Sequence, residues 1–142
     1  MKTMEKILVS ACLLGTNCKY DGGNNKNELV LNYLEDKQVI PICPEVMGGL
    51  PTPRIGAEQL NNKVITKTGK DVTKNFKKGA DEVLYLANLF DVKKALLKAR
   101  SPSCGYKKVY DGSFSHTIID GNGETAELLR QNGIEIITEE DI

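Results

Sequence analysis

Four cysteines, Cys12, Cys18, Cys43 and Cys104, are the residues of this chain best suited to chemistry. Thiolate sulfur is a soft ligand for zinc, copper(I) or iron–sulfur clusters. Structural zinc sites use close Cys-x-x-Cys pairs, and the chain has none; the nearest two cysteines, Cys12 and Cys18, have five residues between them. The missing Cys-x-x-Cys also argues against thioredoxin-like exchange. Cys12, Cys43 and Cys104, coming from three loops, would leave one metal position open, where substrate chemistry can take place. Two plainer uses stay open from the residues alone. Each cysteine can be a small buried hydrophobe. One can be a nucleophile paired with a base. The single histidine, His116, would have to supply that base, and its polar setting, Ser115-His116-Thr117, reads as surface.

Other candidates lie close to these cysteines in sequence. Glu45, two residues after Cys43, is either a general acid/base or a solvent-facing carboxylate. Ser101 and Ser103 flank Pro102 ahead of Cys104, where they can donate to a substrate or cap the turn. Tyr20 and Asp21 offer a polar handle on a ligand. Gly22-Gly23 and Gly48-Gly49 let the backbone approach a ligand, or form plain turns. Gly121-Asn122-Gly123 at a helix start can meet an anion. It lacks the G-x-G-x-x-G fingerprint, so a dinucleotide site is not supported. Lys93, Lys94, Lys98, Arg100, Lys107 and Lys108 read as a solvated face.

The positioning elements follow from the hydrophobic pattern. The run 6–10 is a short buried strand. Asn27 caps a helix whose apolar face is Leu29, Val30, Tyr33 and Leu34. A second strand covers 39–42, with Pro41 at an unpaired position. Pro51, Pro53 and Gly56 mark irregular chain. Segments 63–66 and 70–72 pair as a hairpin around Gly69. Thr73 caps the longest helix, 73–90, whose stripe is Phe76, Ala80, Val83, Leu84, Ala87 and Phe90. A third strand, 95–99, leads into Cys104. Asp111-Gly112 signals a turn. A last helix, 124–132, ends at Gly133, and the final strand is 134–137. This alternation predicts one α/β domain over 1–142, Rossmann-like and three-layered, with a mostly parallel sheet. Cys12, Cys43 and Cys104 each fall a few residues past a predicted strand. Ligands of open parallel sheets bind outside the carboxyl ends of the strands, so neighbouring strands would gather the three thiols into one crevice.

Composition narrows the function classes. The chain has 142 residues, with 19 Lys plus Arg against 19 Asp plus Glu, so its formal net charge is zero. That balance disfavours a nucleic-acid binder, whose affinity rests on basic residues neutralising phosphates. No apolar run is long enough for a membrane span. The lead-in from Met1 to Lys6 and the run Ile7-Leu8-Val9 do not make a signal peptide. The expected location is the cytoplasm, where disulfides are rare.

Four segments together resemble a known family. They are Val9-Ser10-Ala11-Cys12-Leu13-Leu14-Gly15; Tyr20-Asp21-Gly22; Cys43-Pro44-Glu45-Val46-Met47-Gly48-Gly49-Leu50-Pro51-Thr52-Pro53-Arg54; and Lys98-Ala99-Arg100-Ser101-Pro102-Ser103-Cys104-Gly105. The family is that of the thiouracil desulfurases, also called domain-of-unknown-function family 523. The resemblance covers nearly the whole chain. It implies a [4Fe-4S] cluster held by Cys12, Cys43 and Cys104, with the fourth iron open to the sulfur of a small thiolated nucleobase. It implies hydrolysis of the C=S bond without net redox change, releasing hydrosulfide. Glu45 carries over as general acid/base and Ser101 and Ser103 as substrate or relay contacts. Tyr20, Asp21, Gly48 and Gly49 are the candidate substrate contacts. Cys18 is not required as a ligand by the family pattern, and Lys19 stands where Arg is expected. Two other functions stay open at this level: a non-catalytic metal- or sulfur-binding module, and a small-molecule-binding domain with structural cysteines.

Overall fold

The computed structural model describes residues 4–142; Met1 to Thr3, part of the expected lead-in, lie outside the described residues. Four strands form a parallel sheet: β1 (Glu5–Ser10), β2 (Lys37–Ile42), β5 (Lys94–Leu97) and β8 (Glu135–Thr138), in the order β2-β1-β5-β8. Successive side chains of a strand face opposite ways, and each face has its own helices. Ile7, Val9 and Leu96 pack with Val30 of α1 (Glu28–Tyr33) and with Leu34 at its C-terminal cap. Leu8, Ala95, Leu97 and Ile136 pack with Val83 and Ala87 of α3 (Thr73–Leu89) and with Ala126 and Leu129 of α4 (Glu124–Gln131). The result is the expected three-layer α/β arrangement. Burying both faces of the sheet explains why its strands read as continuous apolar runs.

Several local expectations hold, but Leu29 and Phe90, expected on apolar helix faces, are exposed, and Phe90 lies just past the end of α3. Asn27 caps α1, its Oδ1 accepting from the Val30 amide at 3.1 Å. Pro41 sits in β2, an edge strand, where its missing N–H costs no ladder bond on the open side. Gly133, with φ of 79°, follows the end of α4.

The hairpin expectation holds as a short bridged turn, and a strand that was not foreseen adds to it. Segment 63–66, β4 (Lys63–Thr66), pairs backwards with β3 (Ala57–Leu60) across Asn61-Asn62, whose φ values are 51° and 63°. Two consecutive left-handed residues make a tight hairpin turn, which Asn tolerates. Around Gly69, segments 63–66 and 70–72 do meet antiparallel, through the Ile65–Asp71 bridge, with the Thr66 amide donating to the Lys70 carbonyl at 2.8 Å and the Val72 amide to the Val64 carbonyl at 2.9 Å. Segment 57–60 was hidden because Ala-Glu-Gln-Leu lacks the β-branched residues that mark strands. Thr73 is not the cap of α3. Val72 holds that position, the Thr73 hydroxyl accepts from the Val64 amide, and Asp71 Oδ1 accepts from the Thr73 amide. Asp111-Gly112 does not form a two-residue turn. It opens a longer loop between β6 (Lys108–Tyr110) and β7 (Ile118–Asp120), an antiparallel pair.

Candidate active site

β1, β2 and β5 are adjacent, so the loops that follow them open at one edge of the sheet. A cavity of about 530 Å³ lies there, and Cys12, Cys18, Cys43 and Cys104 all line it.

Each thiol is held by a different local device. Cys12 sits in a single 3-10 turn, Ala11–Leu14, where buried Ala11 and Leu13 anchor the backbone on either side. Asn25 steadies it twice, through its backbone N–H to the Cys12 carbonyl at 2.9 Å and its side-chain amide to Sγ at 3.5 Å. Cys43 directly follows β2 and precedes a one-turn helix, α2 (Pro44–Met47), which Pro44 opens with a preset φ. Cys104 is buried. Its amide donates to Ser101 Oγ at 2.7 Å, and its sulfur accepts from Ser10 Oγ at 3.2 Å.

Backbone contacts fix the loops. The first N–H groups of α4 donate to the carbonyls of Pro102 and Ser103. The Gly121-Asn122-Gly123 segment therefore braces the Cys104 loop, and its Gly121 and Gly123 amides already donate to the Lys107 and Gly105 carbonyls. A Cβ on Gly123 would come within 2.5 Å of the Ser103 carbonyl, so only glycine permits this approach. Gly48 and Gly79 do the same for α2. Their Cβ atoms would lie 2.0 Å from the Asn75 carbonyl oxygen and 1.9 Å from the Pro44 carbonyl oxygen. Backbone-to-backbone packing of α2 on α3 thus sets where Glu45 stands.

Glu45 is the centre of a polar network. Its Oε2 accepts from Ser103 Oγ at 2.9 Å, and Ser103 Oγ lies 3.3 Å from Ser101 Oγ. Its Oε1 accepts from Arg54 Nε at 3.1 Å. The Arg54 and Glu45 side chains are only 6% and 17% exposed. Arg54 Nη2 also donates to the Cys18 carbonyl at 2.8 Å. Arg54 follows a proline-rich segment that offers no periodic signal, so its partnership with Glu45 was not legible.

Of the expected substrate contacts, Tyr20 lines the cavity, but Asp21, Gly48 and Gly49 do not. Asp21 folds back onto the Gly23 amide and Lys19, and Gly48 and Gly49 serve the α2–α3 contact. Lys98 departs from its expected place on a solvated face: it lines the cavity and pairs with Glu139 at 2.9 Å. His116 is exposed as expected, yet it also lines the mouth with Tyr110 and Phe114.

Burial pushes the Cys104 thiol up to about 12 against hydrogen bonds from Ser10 and Ser103 that favour the thiolate. Burial also raises Cys12. Cys18 is pushed up to about 12 by burial and by neighbouring Cys43. Such thiols stay protonated unless a cation takes the proton's place, as a coordinating metal does. Among the described residues no three His, Cys, Asp or Glu side chains converge on a single ion. Thiols spread around a cavity suit a larger, multi-iron core, and sulfur-directed hydrogen bonds suit cluster sulfur ligands. The donor set therefore fits an iron–sulfur cluster.

The 2-thiouracil desulfurase family model matches residues 7–141. The chain belongs to that family. The chain is similar to YbbK of Bacillus subtilis (strain 168), itself an uncharacterised protein, at 38% identity over 146 residues that cover 96% of this chain and 97% of YbbK. A solved structure, the [4Fe-4S]-dependent thiouracil desulfidase TudS, superposes with a TM-score of 0.90 at 43% identity, covering 97% of this chain and 93% of TudS. Family membership agrees with the fold, and, Asp21-Gly22 excepted, each of the four segments that carried the resemblance contributes residues to the cavity, among them Cys12, Tyr20, Cys43, Glu45, Arg54, Ser101, Ser103 and Cys104. No helix among the described residues is long and apolar enough to cross a membrane.

Proposed function

We propose that this protein is a cytoplasmic [4Fe-4S]-dependent desulfurase. It hydrolyses the C=S bond of a small thiolated nucleobase such as 2-thiouracil. One water is consumed, a carbonyl replaces the thiocarbonyl, sulfur leaves as hydrosulfide, and no electrons are exchanged with an outside donor. The observation that carries this reading is the meeting of three loop thiols, Cys12, Cys43 and Cys104, with one oriented carboxylate in a single cavity.

Cys12, Cys43 and Cys104 are assigned as the ligands, and Cys18 as a neighbour of Cys43 outside the ligand set. The cluster, when bound, supplies a Lewis-acidic iron suited to soft thione sulfur. Glu45 is assigned as the base that takes a proton from the attacking water. Arg54 occupies its Oε1 and Ser103 reaches its Oε2, so the carboxylate is held in one orientation. Ser103 and Ser101 extend that contact as a short hydroxyl chain toward the Cys104 loop. The chain holds the proton near the departing sulfur instead of releasing it to solvent. The cavity, at about 530 Å³, is within the usual range of small-molecule sites.

Anaerobic purification tests the reading. The expected protein is brown, with about four iron atoms per chain. Cys12→Ala, Cys43→Ala and Cys104→Ala each lose the iron, and Cys18→Ala keeps it. Glu45→Gln keeps the iron and lowers hydrosulfide release from 2-thiouracil by roughly 10²–10⁴-fold. A cluster-loaded wild type that releases no hydrosulfide from any thiolated pyrimidine refutes the enzyme assignment.

A further inference from the structure

The loop between β6 and β7 has a feature that the cysteine and carboxylate chemistry does not use. Phe114 and His116 both stand in the left-handed backbone region, with φ of 57° and 61°. Bulky residues rarely adopt it, and the strain persists only where the surroundings enforce it. The enforcing group is Glu58 on β3. Its Oε1 accepts from the backbone N–H of Gly112 and of Phe114, both at 3.1 Å. Gly112, with φ of 94°, packs so tightly on β3 that a Cβ would lie 2.7 Å from the Gln59 carbonyl oxygen. This clamp carries three rings to the cavity wall: Phe114, His116 and Tyr110, with Tyr110 and His116 edge-to-face at a centroid distance of 5.9 Å. Glu58 itself lines the same cavity.

Strain at this spot has no evident role in stability. The loop is at the mouth, His116 is exposed and Phe114 is half-buried. Strained backbone is found at ligand clamps, where the ligand and not the fold rewards it. Aromatic side chains offer a flat apolar face to a planar ring, with little rotamer freedom to lose. We propose that the Glu58-clamped arm is the specificity element of the site. Phe114, flanked by Tyr110 and His116, forms the wall against which a flat heteroaromatic thione lies. Glu58 is a positioning residue that acts through the arm backbone. The proposal rests on the desulfurase reading for its reaction, but the binding claim can be tested by itself.

The kinetic test compares 2-thiouracil with thiourea, which carries the same reacting C=S bond without an aromatic ring. Protein is loaded anaerobically and matched for iron. Phe114→Asn, which suits the left-handed backbone, and Phe114→Leu, which keeps bulk and strain but removes the flat face, are both assayed. Each is expected to raise KM for 2-thiouracil about tenfold more than KM for thiourea, the scale of one base stacking on one ring, with kcat moved far less than KM. Glu58→Ala is expected to give the same split, and Glu58→Gln, which keeps an acceptor oxygen, to restore most of it. Equal changes for both thiones overturn the proposal. Uracil titrated into the same proteins, followed by ligand NMR, reads binding without turnover. Weaker binding by both Phe114 variants supports the wall, even if hydrosulfide release fails and the reaction assignment falls. No uracil binding by the wild type, or equal binding by wild type and variants, overturns the proposal.

Discussion

Arg54→Met isolates the ion pair that orients Glu45. Methionine keeps the apolar length of the side chain and removes its charge. Four side-chain hydrogen bonds disappear: to Glu45, to the Cys18 carbonyl, to the Pro51 carbonyl and to Thr52 Oγ1. The last two run to exposed loop residues, Pro51 and Thr52, and contribute little. The first two decide the outcome, because the Arg54 side chain is 6% exposed and the Glu45 side chain 17%. Removing one partner of a buried pair costs about 3–5 kcal/mol. Water reaches part of the Glu45 carboxylate, which favours the low end, about 3 kcal/mol. For a chain of this size that lowers Tm by roughly 10 °C. The double variant Glu45→Met with Arg54→Met should unfold at a higher temperature than Arg54→Met alone, because it leaves no unpaired charge buried. Thermal unfolding of the four proteins, with iron content matched because a bound cofactor raises apparent stability, closes the cycle. Hydrosulfide release is expected to fall more than tenfold in Arg54→Met with iron retained, since the base loses its orientation. Additive changes in Tm, or a double variant weaker than Arg54→Met, would refute the coupling on which Glu45's placement is argued.

Two further outcomes follow from other contacts. Gly123→Ala puts a Cβ 2.5 Å from the Ser103 carbonyl; backbone must shift, at a cost of about 1–3 kcal/mol, and both Tm and iron per chain should drop because the Cys104 loop moves. Unchanged iron would mean that the loop is held elsewhere. Glu127 has its carboxyl held down at about 2, from an ordinary 4.5, chiefly by the Arg130 guanidinium and then by the Asn122 amide. A depressed carboxyl stabilises the fold above its ordinary value, and that stability is lost as pH falls from about 4.5 toward 2. The pair is half-exposed, so screening keeps its contribution below about 1 kcal/mol. The Tm gap between wild type and Glu127→Gln should be small at pH 7 and vanish near pH 2; a gap that widens on acidification would contradict this.

The convergence of Cys12, Cys43 and Cys104 was legible because it needs only two facts. Strands of a parallel sheet leave their loops at one edge, and short apolar runs place those strands reliably. The sheet's interior was legible for the same reason, its residues being apolar on both faces. What escaped was chemistry set by tertiary contact. Arg54 meets Glu45 only because α2 lies on α3, and that approach depends on Gly48 and Gly79, which in sequence look like any turn or helix glycine. The strand 57–60 and the turn at Asn61-Asn62 were hidden by weak strand propensity, although two adjacent asparagines were a usable cue. Phe114 gave no cue, since nothing in its residue type predicts left-handed backbone, and His116 only the weak one that histidine tolerates it. Lys98 read as surface because its partner, Glu139, comes from the far end of the chain.

The hydrogen bonds around the cavity form one connected set, not separate local devices. Ser10, the last residue of β1, accepts from the Lys98 amide beyond β5 and donates to Cys104 Sγ. It replaces a ladder bond with a side-chain bond at the point where the sheet must give way to the site. Ser103 carries the link from the Cys104 loop to Glu45 on α2, and Arg54 carries it on to the Cys18 carbonyl in the loop after β1. Cys43 Sγ, in turn, lies 3.8 Å from that same carbonyl. Loops that follow β1, β2 and β5 are therefore registered against each other by the protein's own groups. Groups registered by the protein's own hydrogen bonds have little reorganisation left to make when they act, and that preorganisation is what makes oriented donors and carboxylates effective in a partly enclosed cavity.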